Sequence, residues 1–450
     1  EEIKSASHKQ VVPMIATRRA VEQAIATLYG NEGTARAIEE MKREAGTAAP
    51  DIVPAQMTGE TADSAPTIRF VNSLIERAFH ERASDIHLEP QESEMVVRMR
   101  IDGLLQRLFT VPTELQSTVI SRLKIMGGMN IAEHKIPQDG QAMMQLKGHE
   151  VDLRISSLPT VYGEKIVLRL LDKSNRNLDK ESLGIEGRDL ELYNALLKNT
   201  SGVILLVGPT GSGKSTTLYA MIRDLARDEV NIVTLEDPVE YHISGVSQCQ
   251  INEKTGMTFA NGLRAILRQD PDIISVGEIR DGETAEIAMR AAMTGHLVFT
   301  TIHTNDALSS IDRLLDIGVE PYLIAGGVRG IISQRLVRKI CPDCKEAYVP
   351  TEEERRLVGA EKGQMLYRGK GCPHCFGTGY RGRTGIYEIL FMNQKGRKAV
   401  LEGAARDELL EALKDEDYQS MEDNCKELIR MGTTTVEEGL RVILEMGRKK

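Results

Sequence analysis

Apolar and polar residues change period along this chain, and each change marks a different kind of structure. Val21, Ala24, Ile25 and Leu28 recur at helical spacing, so residues 1–46 are expected to be a helical segment. Residues 47–66 are rich in Ala, Pro, Thr, Gly and Asp without periodicity and read as a linker. A helix is predicted from Thr67 to about Ala83, with Phe70, Leu74, Ile75 and Ala78 on one face. Short strand-like runs follow at Met95–Ile101, Leu104–Phe109, Val151–Ser156 and Lys165–Leu171, and Asp102-Gly103 is a hairpin-turn signal between the first two. Residues 67–180 therefore read as a small α+β domain.

Beyond it, residues 181–450 read as an α/β domain. Four apolar runs stand out, Val203–Val207, Ile232–Leu235, Ile273–Val276 and Leu297–Ile302, and each ends in polar or glycine-rich sequence. Parallel strands buried on both faces have this pattern, and their carboxyl ends are where ligands gather in open α/β sheets. The tail from Gln394 is rich in Glu, Lys, Leu and Ala, which predicts helices.

Composition narrows the function. The 450 residues are 41% hydrophobic and 27% charged, an ordinary globular balance. No run approaches the roughly 18 to 20 apolar residues of a membrane span. The net charge of −9 and the absence of Trp argue against a large nucleic-acid footprint, which needs a basic surface and stacking aromatics. Six cysteines with no secretory signal at the start of the sequence lead us to expect a reducing, cytoplasmic compartment. Because the sequence opens on Glu1 rather than Met, it is expected to be part of a longer chain.

The chemistry-bearing residues sit where the apolar runs end. After the first comes Gly208-Pro209-Thr210-Gly211-Ser212-Gly213-Lys214-Ser215-Thr216, a complete GxxxxGK[ST] match between a strand and a predicted helix. Its glycines let backbone N–H groups wrap phosphates, Lys214 reaches the β/γ-phosphates, and the Ser215 hydroxyl suits Mg²⁺. The second run ends in Glu236-Asp237-Pro238-Val239-Glu240, where Glu236 is the first candidate for ordering Mg²⁺ or its waters. The third leads into Gly277-Glu278-Ile279-Arg280-Asp281, which resembles the second nucleotide motif of P-loop ATPases but has Gly277 where that motif usually carries an Asp. That leaves Glu278 as the carboxylate to orient or deprotonate an attacking water. The fourth is bracketed by His296 and His303; His303 lies at the carboxyl end and is placed to sense a γ-phosphate, whereas His296 precedes the strand.

Two tight knuckles, Cys341-Pro342-Asp343-Cys344 and Cys372-Pro373-His374-Cys375, are separated by 27 residues. Four thiolates at this spacing suit a closed tetrahedral Zn²⁺ site, structural because no ligand position is left open. The separation is longer than the usual roughly 15 to 20 residues, and a helical insertion such as Thr351–Leu357 would fill it.

The set Gly208–Thr216, Thr234–Tyr241, Leu267–Asp281 and Thr294–Asp306 resembles the secretion ATPases of type II secretion and type IV pilus assembly, across about residues 67–395. The resemblance implies a PAS-like α+β domain followed by a RecA-like P-loop domain with a parallel-rich sheet, in a homo-hexamer that binds ATP between the two. It also implies that arginines of the smaller domain reach the phosphates, Arg154 and Arg169 matching those positions and Arg98 and Arg100 being further candidates. In that family the tetracysteine insert accompanies export and pilus extension. The expected activity is Mg²⁺-dependent ATP hydrolysis that powers pilin or pseudopilin assembly through an inner-membrane platform protein, on the cytoplasmic face of that membrane and without nucleic acid. A RecA-like nucleic-acid translocase or helicase is the alternative, and a nucleotide switch without turnover is a third class.

Overall fold

The computed structural model describes residues 37–43, 64–172, 180–415 and 418–447. Of the helical expectation for residues 1–46, residues 37–43 are described and are helical, and the rest lies outside the described residues, as does the predicted linker up to residue 63. The chain divides into two units, Glu1–Ser174 and Asn175–Lys450.

In the first unit, α1 (Ala65–His80) starts two residues earlier than expected, with Pro66 in its first turn. A proline there forfeits no helical hydrogen bond. The helix stops short of Ala83 because Arg82 takes a left-handed φ of 56°, and Ala83 already opens β1 (Ala83–Pro90). The hairpin β2 (Glu94–Ile101) and β3 (Leu104–Pro112) turns on Asp102 and Gly103, both with positive φ. Next come α2 (Thr113–Met126), β4 (Gln138–Leu146), β5 (His149–Thr160) and β6 (Gly163–Asp172). The sheet runs β3-β2-β1-β6-β5-β4, each neighbouring pair antiparallel. The edge strand β4 gave no apolar signal because Leu146 is its one buried residue. Phe70 and Leu74 of α1 pack with Ile86, Leu88, Leu153 and Leu168. Strand alternation puts Asp85, His87 and Glu89 on the other face, beside cross-strand neighbours Arg98, Arg100 and Arg169.

The second unit opens with α3 (Gly187–Leu197) and then realises the four apolar runs as β7 (Gly202–Val207), β8 (Ile232–Glu236), β10 (Ile273–Val276) and β11 (Leu297–Ile302). With β9 (Val246–Gln250), β12 (Val328–Ile340) and β15 (Tyr380–Phe391) they form one sheet, β15-β12-β7-β11-β10-β8-β9. Every pairing is parallel except that of β12 with β15. Helices cover both faces. On one side α5 (Phe259–Ile266), α6 (Gly282–Met293), α7 (Ala307–Asp316) and α8 (Pro321–Gly327) pack on Val203, Leu205 and Val207. On the other, α3 and α4 (Lys214–Leu225) pack on Ile204 and Leu206.

Strands β12 and β15 carried no clear strand pattern, since Ser333, Gln334, Arg335 and Arg338 interrupt the first and Arg381 to Thr384 open the second. Between them lies an insert of β13 (Lys345–Tyr348), α9 (Glu352–Val358) and β14 (Leu366–Gly369), with Thr351 and Glu354 forming a capping box. The tail folds into the predicted helices, α10 (Gln394–Glu402), α11 (Arg406–Leu413), α12 (Met421–Arg430) and α13 (Val436–Gly447). Fully buried Glu438 ties α13 to β12, accepting from the Arg338 backbone N–H at 3.0 Å and from its guanidinium at 3.0 and 2.7 Å.

Candidate phosphate-binding site and metal centre

Strand β7 hands over to the glycine-rich loop at Gly208, whose φ is 151°. A Cβ there would lie 2.5 Å from both the Gln334 carbonyl oxygen and Ser212 Oγ, so the position accepts only glycine. Gln334 braces the loop from β12 by donating Nε2 to the Ser212 carbonyl at 2.8 Å. The loop ends at Gly213, the left-handed N-cap of α4, which as a glycine offers no side chain to cap the first-turn amides. The amides of Lys214, Ser215 and Thr216 therefore form an anion seat at a helix N-terminus. Ser215 is exposed at this end of the helix, with its hydroxyl available to a cation.

Lys214 is buried, and its Nζ donates to the carbonyls of Gly208 at 2.8 Å and Pro209 at 3.1 Å. Burial pulls its pKa down from 10.5 to about 8, against the opposing charge of Glu278. A desolvated ammonium resting on neutral carbonyls gains from an arriving anion, which is the behaviour a phosphate seat requires.

The ends of β10 and β11 bring the next two predicted residues to this lysine. His303 Nδ1 lies 3.4 Å from Lys214 Nζ, and His303 Nε2 lies 3.1 Å from Glu278 Oε2. Arg280, which sequence reasoning did not single out, donates Nε to Glu278 Oε1 at 2.7 Å and reaches Asp237 Oδ2 at 3.3 Å. Its guanidinium is held even more firmly protonated by the bond to Glu278. Residues from all four strand ends are thus joined in one polar chain. A Cβ at position 277 would sit 3.2 Å from the Leu235 carbonyl of neighbouring β8, closer than ordinary contact.

The Glu236 side chain, beside Asp237 at the same strand end, takes other partners. Its buried carboxylate accepts from Thr234 Oγ1 at 2.5 Å, from Gln248 Nε2 at 3.0 Å and from the Tyr219 hydroxyl of α4. Burial and this bond push the Tyr219 pKa upward. His296 packs its Nδ1 2.9 Å from the Ala291 carbonyl at the end of α6. In the first unit, Arg154 and Arg169 face each other across β5 and β6 and line a cleft of about 740 Å³ with Asp85, Asp139 and Gln141. Asp85 accepts from Arg169 Nε at 3.0 Å. Arg98 is engaged by Glu89 at 2.8 Å, and Arg100 donates to the Gly103 carbonyl at 2.9 Å.

Cys341, Cys344, Cys372 and Cys375 meet with all four Sγ atoms within 4.8 Å of one another. The separations of 3.8, 3.8 and 3.6 Å for Cys341–Cys372, Cys344–Cys375 and Cys372–Cys375 match a tetrahedron with Zn–S of about 2.3 Å, whose edges are about 3.8 Å. Backbone N–H groups of Cys372 and Gly379, each 3.2 Å from Cys375 Sγ, add donors suited to a thiolate. The residues fit zinc. His374 pairs with Asp343 at 2.8 Å and stands outside the ligand set. Among the described residues no helix is long and apolar enough to cross a membrane.

Comparison with known proteins adds kinship to this geometry. The family described as "Type II/IV secretion system protein" matches residues 60–441. "Type II secretion system protein E" of Pseudomonas aeruginosa is 47% identical over 388 residues, covering 86% of this chain and 77% of that protein. "Type IV pilus assembly ATPase PilB" of Thermus thermophilus is 43% identical over 440 residues, covering 97% of this chain and 49% of that protein. Among solved structures, the "Pilus Retraction Motor PilT and Bound ADP" aligns with a TM-score of 0.54 and 30% identity, over 82% of this chain and 95% of that one.

Proposed function

The chain belongs to the type II/IV secretion system protein family, and on that premise we propose that its hydrolysis of ATP drives assembly of a pilus or of a secretion pseudopilus. It is a motor ATPase with a RecA-like fold. The observation that carries the reading is the polar chain from Lys214 through His303 to Glu278, which links the phosphate loop to the ends of two further strands.

In this reading the first-turn amides of α4 and Lys214 hold the β- and γ-phosphates, and Ser215 holds Mg²⁺. The ion, when bound, neutralises phosphate charge and polarises the transferred group. Glu278 orients the attacking water and accepts its proton. His303, between Glu278 and Lys214, registers whether the γ-phosphate is present. Arg154 and Arg169 of the first unit stabilise the transition state, a contribution that a supplied arginine can raise to roughly 10³–10⁵ in rate. Support for their role is their side-by-side place on β5 and β6 in the lined cleft. We read the first unit as the PAS-like domain of the family, the subunits as a hexamer, and the partner as an inner-membrane platform protein at its cytoplasmic face. Zinc at the four cysteines keeps the insert folded.

Two variants test the site. Glu278→Gln is expected to bind ATP as the wild type does and to hydrolyse it roughly 10²- to 10³-fold more slowly. Lys214→Ala is expected to lose nucleotide binding itself. Wild-type turnover in either overturns the assignment.

A further inference from the structure

Glu236 stands at the end of β8 like a metal-ordering carboxylate, yet its surroundings are those of a hub. It is 7% exposed, and three side-chain donors converge on it from α4, β8 and β9: Tyr219, Thr234 at 2.5 Å and Gln248 at 3.0 Å. Each partner is fixed in turn. The Tyr219 hydroxyl also accepts the backbone N–H of Glu240 at 3.2 Å and of Tyr241 at 3.5 Å, and its ring meets that of Tyr241 edge-on at 5.6 Å. Gln248 donates to the Tyr241 carbonyl and accepts from the Ile243 N–H, both at 2.8 Å. In each of the three side-chain bonds the Glu236 carboxylate is the acceptor.

We infer that Tyr219 and Glu236 are positioning residues that lock the Asp237–Tyr241 segment onto the phosphate-loop helix, and that Glu236 is not a ligand of the nucleotide's Mg²⁺. The route to the chemistry is short. Asp237 follows Glu236 directly and holds Arg280 at 3.3 Å, and Arg280 holds Glu278 at 2.7 Å. Movement of the segment therefore moves the carboxylate that orients the attacking water. Opening Glu236 toward a metal would break bonds to three elements and leave the Tyr219 hydroxyl buried with its charged partner gone, which a saturated buried network resists.

The inference rests on the proposed role of Glu278, so Glu278→Gln runs beside every variant. Tyr219→Phe, Thr234→Val, Glu236→Gln and the Tyr219→Phe/Glu236→Gln pair are compared for kcat, KM for ATP and the Mg²⁺ concentration giving half-maximal rate. Tyr219→Phe is expected to lower kcat roughly 10- to 100-fold, as misplacement of a reacting group does, with KM and the Mg²⁺ midpoint unchanged. Glu236→Gln should behave alike, and the pair should be no worse than either single change. Thr234→Val, which removes one donor and keeps the shape, should fall between. A Glu236→Gln variant whose Mg²⁺ midpoint rises while that of Tyr219→Phe does not would make Glu236 a metal-shell residue and overturn the inference. So would wild-type kcat in Tyr219→Phe while Glu278→Gln is inactive. Full activity in Glu278→Gln refutes the assignment of Glu278 instead.

Discussion

Replacing Glu438 by Gln removes one charge and almost no volume, at a point where the structure sets the size of the effect. Glu438 is fully buried and takes the Arg338 fork, the Arg338 backbone N–H and Arg441 at 2.7 Å. These donors outweigh burial and bring its carboxyl from 4.5 to about 2. A difference of that size corresponds to about 3 kcal/mol in favour of the ionised fold. Removing the charge also strands Arg338, which stacks 3.8 Å over the Tyr380 ring with little solvent to take it up, so a loss of about 3–5 kcal/mol is expected near pH 7. Because the folded pKa lies below the unfolded one, the stabilisation is complete above about pH 4.5 and is lost as pH falls toward about 2. The assay is denaturant unfolding of wild type and variant in parallel from neutral to acid pH. Taking the difference at each pH cancels acid loss of metal, which affects both proteins. The difference should be about 3 kcal/mol or more at neutral pH and shrink toward zero near pH 2. A difference below about 0.5 kcal/mol at neutral pH, or one that does not change on acidification, refutes the reasoning.

Other outcomes follow from the same geometry. Gly208→Ala places a Cβ 2.5 Å from the Gln334 carbonyl at a left-handed φ, so it should abolish nucleotide binding or fail to fold, as read by fluorescent-nucleotide titration and thermal unfolding. Nucleotide affinity should be constant below about pH 8 and weaken above it, since free Lys214 releases its proton near there and the protonated form is the one that binds phosphate; Lys214→Arg should remove the inflection. Chelation under reducing conditions should release one zinc per chain, measured by a metallochromic dye, and make the insert around Cys341–Cys375 sensitive to protease. Retention of a protected insert in metal-free protein contradicts the zinc assignment.

The strands that carry the chemistry were legible because their signal is local. Ile273–Val276 and Leu297–Ile302 are mainly apolar runs, broken only by the small hydroxyl residues Ser275, Thr300 and Thr301, and the structure ends them where the sequence does. The phosphate loop and the cysteine knuckles were equally plain, since spacing alone encodes a phosphate cradle and a tetrahedral donor set. What escaped were residues whose role lies in a partner far along the chain. Gln334 braces Ser212 from a strand broken by polar residues, and Glu438 closes on Arg338 across 100 positions. Tyr219 lies on the phosphate-loop helix, and nothing in its neighbourhood along the chain announces that its hydroxyl meets Glu236. Arg280 was nearest to discovery: it stands two residues beyond Glu278 at a strand end, where a charged side chain can turn back on its neighbour. Glu236 was visible as an acid at the right strand end, but two of its three donors, Tyr219 of α4 and Gln248 of β9, come from other elements and leave no mark in the local sequence.

The central claim, an ATP-driven ring motor of pilus or pseudopilus assembly, meets its most direct test in steady-state ATP hydrolysis measured against protein concentration, with and without single-stranded and duplex DNA. The account predicts turnover per chain that rises as subunits associate and ignores DNA. Turnover independent of concentration and strongly stimulated by DNA would contradict it and point to a nucleic-acid translocase.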